Sequence, residues 1–401
     1  MQKLLCNIYI FLLCVYNLQG VLYPTGSFVS QLILGMALSM SAYYFFLLLV
    51  RYRLPKVLKI LSFLLLVWTI YGLIIIMFGN GVGWLPEYYY LKKIYISLLP
   101  VLVFYYFSKE GYLSESLLKK WTVIFVIVAI ASFNSKINAR VAEDALNREE
   151  FTNNAAYMVL SIMPLVPLFY KKPVIQYVLL GVVMLYVLLG MKRGAILCGA
   201  LSSVWFLFRS FKDNNTGGKK VWKFLLTIVI IAGAVFAIRW MLSTSDYFAY
   251  RLEVTKEGDS SGRDSLFDAC SSFFFDQSNV FHILFGNGAD ATVRLFGNYA
   301  HNDWLEIAIN NGLFTFVLYL VFWIVLLTTV VKTKKRNHIT YMMMGIFLIV
   351  FFAKTFFSMT YYSLPMFASC ALGFALADSD CVPEPRNPTT HRFKSKDISP
   401  Y

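Results

Sequence analysis

Residues 299–331 read YAHNDWLEIAINNGLFTFVLYLVFWIVLLTTVV, and the two halves of this stretch belong to different solvents. Residues 313–331 carry no charge. At 1.5 Å of rise per residue they make a helix about as long as the roughly 30 Å of hydrocarbon in a bilayer. The first half gathers His301, Asn302, Asp303 and Glu306, followed by Asn310 and Asn311. Asp303 with Glu306 three residues later fits a capping-box start, with Asp in place of Ser or Thr. Gly312, between the halves, suits a stop or a kink. The stretch therefore predicts a membrane span entered from a short polar helix, with His301 just before that helix's N-terminus, where backbone N–H groups and the dipole favour an anion.

The rest of the chain repeats the second half. Apolar runs of about 15–23 residues between polar breaks lie near 4–22, 28–50, 60–78, 94–107, 121–133, 155–170, 174–190, 194–208, 224–242, 312–331, 339–357 and 361–377. Of the 401 residues, 58% are hydrophobic and only 14% charged, against about 25% charged in soluble domains. That surface cannot be covered in water, which excludes a soluble enzyme or a disordered regulator. The expectation is an all-α integral membrane protein of about twelve transmembrane helices.

A net charge of +14 invites a nucleic-acid reading, but the distribution removes it. With the N-terminus inside, the inner segments 51–59, 108–120, 171–173, 209–223, 332–338 and the tail hold about two-thirds of the basic residues, the topological bias of short inner loops. The outer segments are nearly neutral. The first twenty residues lack a small-residue cleavage site and are expected to stay as an anchor. Cys6, Cys14, Cys198, Cys270, Cys370 and Cys381 form no CxxC pair, so neither a disulfide framework nor a metal cluster is indicated.

Polar chemistry collects on the outer side. Residues 243–311 form the one long loop, with enough apolar side chains for a small folded cap, and 134–154 is a second polar segment. No internal repeat and no intramembrane acids appear, which disfavours a transporter. Beside the His301 stretch stand Met191-Lys192-Arg193-Gly194, a basic turn on the outer side against the charge rule, and Ser261-Gly262-Arg263-Asp264, whose guanidinium suits a bidentate phosphate contact. Read blandly, the first is an interfacial pair with its stems in apolar surroundings, and Arg263 pairs with Asp259 or Asp264. His301, taken by itself, is a loop decoration. Residues 258–262 match G-x-S-x-G literally, but a loop cannot house the sheet that a nucleophile elbow needs. Gly286-Asn287-Gly288 lacks the third glycine and the βαβ setting of a dinucleotide site and reads as a turn.

Taken in order, Arg193, Gly262-Arg263, Leu284-Phe285-Gly286-Asn287-Gly288 and His301-Asn302-x-x-Leu305-Glu306 resemble the O-antigen ligase/polymerase family. The departure is Gly312-Leu313-Phe314-Thr315, where the family often has Gly-Leu-x-Gly. The resemblance implies a GT-C-like helical membrane fold with the outer loop 243–311 as its cap. It divides the chain into N-terminal transmembrane helices 1–180, a signature region 181–335, transmembrane helices 336–378 and a cytoplasmic tail 379–401. It implies a glycosyltransferase without cofactor or metal in the bacterial cytoplasmic (inner) membrane, its site facing outward. The donor would be an undecaprenyl-diphosphate-linked oligosaccharide and the acceptor a glycan hydroxyl, with a flippase and a chain-length regulator as partners and no nucleic acid. His301 would be the catalytic base or a diphosphate ligand. Arg193, Arg263 and Arg251 would bind the donor diphosphate, supported by Asn302, Asp303 and Glu306. A repeat-unit polymerase for O-antigen or capsule is the leading expectation. A ligase transferring finished glycan to lipid A-core, in lipopolysaccharide biosynthesis, is the alternative, and a glycan-lipid transporter a further one.

Overall fold

The computed structural model describes residues 1–78, 87–144, 155–212, 220–244, 253, 263–335 and 337–381. Among these residues there is no strand, and each of the twelve apolar runs contains helix. They open with α1 (Gln2–Asn17), α2 (Phe28–Arg51), α3 (Lys56–Phe78), α4 (Tyr89–Lys109) and α5 (Glu115–Asp144). The sixth run breaks: α6 (Ala155–Leu160) passes into a 3-10 turn over Met163–Phe169, because Pro164 and Pro167 each lack the N–H that would continue an α-helix. Next come α7 (Pro173–Leu189), α8 (Arg193–Lys212) and α9 (Lys220–Thr244). Three shorter helices, α10 (Arg263–Phe275), α11 (Val280–Phe285) and α12 (Ala291–Phe296), lead to the long α13 (Asp303–Thr333), then α14 (His338–Lys354) and α15 (Met366–Cys381).

Seven of these, α2, α3, α4, α5, α8, α9 and α13, are long and apolar enough to cross a membrane. The other apolar runs make shorter helices, so fewer segments reach across by length than the twelve expected. Of the polar segment 134–154, the part up to Asp144 continues α5, and residues 145–154 lie outside the described residues.

Burial separates inner helices from outer ones. α4 is buried on nearly every side, from Val101 to Phe107, and pairs closely with α15. A Cβ on Gly373 would lie 2.5 Å from the Val101 carbonyl oxygen, so only hydrogen at that position lets the backbones approach. α2 and α9 instead expose Phe46, Val50, Val229 and Phe236, as a surface meeting lipid does.

The basic segments meet at one end of the bundle. Arg51 pairs with Glu110 at 3.5 Å and Lys109 with Asp380 at 2.6 Å. Lys119 lies over the Tyr170 ring, Arg209 over the Tyr341 ring, and Asn337 donates to Asp378. At the opposite end Ser135 donates to the Gly20 carbonyl, and Tyr71 donates to the carbonyls of Phe285 and Asn311. That second end carries the polar half of α13.

Candidate functional site

α13 is two helices joined at a kink. Gly312 has φ 74° and ψ 178°, leaving a half-helix over 303–311 and an apolar helix over 313–333. The carbonyls at the end of the half-helix would be orphaned there. The turn after α11 satisfies them: Asn287 N–H donates to Ile309 at 2.8 Å, Gly288 N–H to Asn310 at 2.9 Å, and the Asn287 amide to Ile309 at 3.1 Å. The Gly286-Asn287-Gly288 turn is thus the C-terminal seal of the half-helix.

The other end is sealed as well. Asn302, not Asp303, is the N-cap: its side-chain oxygen accepts from Trp304 N–H at 2.9 Å and Leu305 N–H at 3.2 Å. The Asp303 N–H donates to the Thr355 carbonyl and the Glu306 N–H to the Asn302 carbonyl. All the first-turn donors are therefore consumed, and the anion expected at this helix N-terminus finds no N–H group to bind. The capping-box assignment of Asp303 fails because its side chain turns inward instead. It accepts from Tyr319 Oη at 2.5 Å, Thr360 N–H at 2.8 Å and Tyr361 N–H at 3.3 Å, which anchors the 355–363 segment after α14.

Glu306 is also buried. It accepts from Ala300 N–H at 2.7 Å, Asn310 Nδ2 at 3.0 Å and the Thr292 hydroxyl. One carboxylate thereby holds α12, the half-helix and the residue preceding His301. Cys270, Ala291, Ala300 and Ile309 form a small core beside it, packed by Leu266, Phe273, Phe274, Phe296 and Leu305. Val280, Phe281 and Phe285, among the apolar side chains of the 243–311 loop, are exposed. No residue of α11 is fully buried, so this short helix lies against the kink without joining that core.

These supports leave His301 half-buried in a left-handed backbone conformation, φ 53°. A non-glycine residue held there costs of order 1 kcal/mol and persists only where its neighbours impose it. Met191, two residues before Arg193, is likewise left-handed at φ 48°. The start of α8 sits tight against the 355–363 segment, since a Cβ on Gly194 would lie 2.4 Å from both the Phe357 ring and the Tyr157 hydroxyl.

Between them lies a cleft of about 370 Å³ lined by Arg193, Gly194, Leu197, Asp264, Phe267, Ala300, His301, Asn302, Phe356 and Phe357. Arg193, His301 and Asn302 are brought together; Asp303 and Glu306 stand behind as supports. Arg263 begins α10 next to Asp264, but its side chain lies outside the described residues, as do Arg251 and residues 258–262. The cleft thus sets a guanidinium, an imidazole and a carboxylate beside apolar side chains. Among the described residues no group of three or more His, Cys, Asp or Glu side chains is arranged to hold a metal.

Sequence reasoning passed over Asp290. It is buried, left-handed at φ 53°, and 3.4 Å from the Tyr362 hydroxyl, which reaches Tyr299 at 3.4 Å. Burial pushes the Asp290 carboxyl up to about 6, with the Tyr362 hydroxyl and Arg294 pulling the other way. Lys354, which the sequence places near the outer end of an apolar run, is buried, donates to Ser363 Oγ at 3.0 Å and lies 4.9 Å from the centre of the Tyr157 ring. The left-handed backbone and the partners seventy residues away have no sequence signature. No model of a known protein family matches the chain, and no curated protein matches it.

Proposed function

We infer that the chain is a metal-independent glycosyltransferase of a bacterial cytoplasmic membrane, a repeat-unit polymerase for O-antigen or capsule. The donor is an undecaprenyl-diphosphate-linked glycan and the acceptor a lipid-linked sugar hydroxyl. On this reading all twelve apolar segments are embedded in a GT-C-like arrangement, and the end carrying the cleft faces outward. The observation that carries the reading is the cleft itself, which Arg193 and His301, far apart in the chain, both line.

The chemistry follows from those two groups. His301 takes the proton of the acceptor hydroxyl as its oxygen bonds to the donor's anomeric carbon. The anomeric carbon–oxygen bond to the diphosphate breaks, and the electron pair leaves with the diphosphate. With the half-helix N–H groups consumed, the guanidinium of Arg193, aided by Arg263 from the start of α10, neutralises that leaving group. Phe356, Phe357, Leu197 and Phe267 give the lipid-borne end an apolar approach.

The test is a glycan gel from a deletion strain complemented with wild type or with His301→Ala at equal membrane abundance. Loss of the ladder, with a single repeat unit still attached to the acceptor, is the polymerase outcome. Loss of all attached glycan, with long lipid-linked polymer accumulating, reassigns the same chemistry to a ligase. An unchanged ladder and an unchanged lipid-linked pool overturn glycosyl transfer at this site.

A further inference from the structure

At the basic end of the bundle, opposite the His301 cleft, α8 buries a cation between two aromatic rings. Arg209 is 9% exposed, with its guanidinium carbon 5.1 Å from the Trp205 ring centre and 4.6 Å from that of Tyr341. Among the described residues its Nε has no hydrogen-bond partner and its guanidinium forms no ion pair with a carboxylate. Close by, buried Lys223 donates to the Ser210 carbonyl at 2.9 Å, so a second cation, an ammonium, reaches the residue next to Arg209.

A charge taken out of water in a membrane protein is costly unless an opposite charge or a strong hydrogen-bond acceptor meets it. The two rings recover part of that cost through their faces, but a ring face cannot accept the in-plane N–H groups of a guanidinium. Those donors match two oxygens of a phosphate. The surroundings specify where such a phosphate comes from. Val204, Phe208, Val221, Trp222 and Phe224 are exposed apolar residues flanking the site on α8 and α9. Lys332, Lys334 and Lys335, all exposed, lie on the segment leading into α14, the helix that carries Tyr341. A cation rimmed by exposed apolar side chains and a basic turn is the arrangement that receives an anionic headgroup while its tails stay on the apolar face.

We propose that Arg209, clamped between Trp205 and Tyr341, binds the phosphate of an anionic membrane phospholipid. The site is separate from the cleft and does not depend on the activity assigned there.

The test uses the full chain purified in a neutral detergent, titrated with phosphatidylglycerol, phosphatidylcholine or inorganic phosphate, with native mass spectrometry and thermal unfolding as readouts. Wild type should retain phosphatidylglycerol at least about tenfold more tightly than phosphatidylcholine, and Arg209→Gln should lose that preference. Arg209→Lys keeps the charge but not the fork, and should bind phosphatidylglycerol several-fold more weakly than wild type. It decides the matter if the Gln variant fails to fold. Equal retention of phosphatidylglycerol by wild type and the folded variants overturns the proposal, as does a wild type that does not distinguish the two lipids. Stabilisation by inorganic phosphate alone to the same extent, lost in the variants, overturns the lipid assignment and leaves a free-phosphate site.

Discussion

Gly286 and Gly312 meet backbone to backbone. A Cβ on Gly312 would lie 2.4 Å from the Gly286 nitrogen, and a Cβ on Gly286 would lie 2.4 Å from the Asn310 carbonyl oxygen. Both have positive φ, 75° and 74°, so a side chain at either is strained in conformation as well as in space. Gly286→Ala and Gly312→Ala should each cost about 2 kcal/mol or more, while an alanine at Gly26, whose Cβ meets nothing within 4 Å, carries only the conformational part. Thermal unfolding of the three variants in detergent checks the order, and similar losses in all three would remove the interlock.

Asp303 holds two backbone N–H groups and the Tyr319 hydroxyl from inside the bundle. Asp303→Ala orphans all three, a loss of roughly 3 kcal/mol or more. Tyr319→Phe, which leaves the carboxylate its backbone donors, should cost about 1 kcal/mol. Comparable melting temperatures for the two would show that the backbone donors find other partners.

The Asp290 carboxyl stands at about 6 in the folded chain against an ordinary 3.8. A raised folded value means that stability is fully present below the unfolded value and is lost as pH rises through the folded one. Wild type should therefore lose up to about 3 kcal/mol between pH 4 and pH 7 from this group. Asp290→Asn, which still accepts from Tyr362, should flatten that part of the profile. Melting curves across the range for both chains decide it, and parallel profiles would exclude Asp290 as the source.

Arg193 and His301 should separate kinetically if they have the roles proposed. Arg193→Ala should weaken binding of a lipid-diphosphate analogue by about tenfold or more. His301→Ala should bind the analogue nearly as wild type does and lose transfer by about a hundredfold or more. Equal weakening of analogue binding in both variants would recast His301 as a diphosphate ligand.

The sequence makes the helices legible and leaves most of their mutual supports hidden. Apolar runs identify the long helices because lipid leaves no other way to satisfy a backbone, and Gly312 announces its kink by being glycine at the polar-to-apolar junction; the short helices α10, α11 and α12 lie outside those runs. His301 and Asn302 are readable as a helix entrance, but which of Asn302 and Asp303 caps it is not. The choice is made by Thr360 and Tyr361, whose N–H groups claim the Asp303 carboxylate from more than fifty residues away. The paired prolines at 164 and 167 shorten a run that hydropathy alone reads as a span. Asp290 and Arg209 look like ordinary surface charges in the sequence because burial is a property of the neighbours.

The kink at Gly312 also sets a hydrophobic length. An unbroken helix of 31 residues would be about 46 Å long, well beyond roughly 30 Å of hydrocarbon. It would have to tilt steeply or push its first turns clear of the bundle. Bending at Gly312 leaves the 313–333 segment at a length that suits a bilayer and lets the half-helix take another direction. Straightening that bend would therefore act on the fit between protein and membrane thickness, and a Gly312 variant should respond to the acyl-chain length of the lipid in which it is reconstituted.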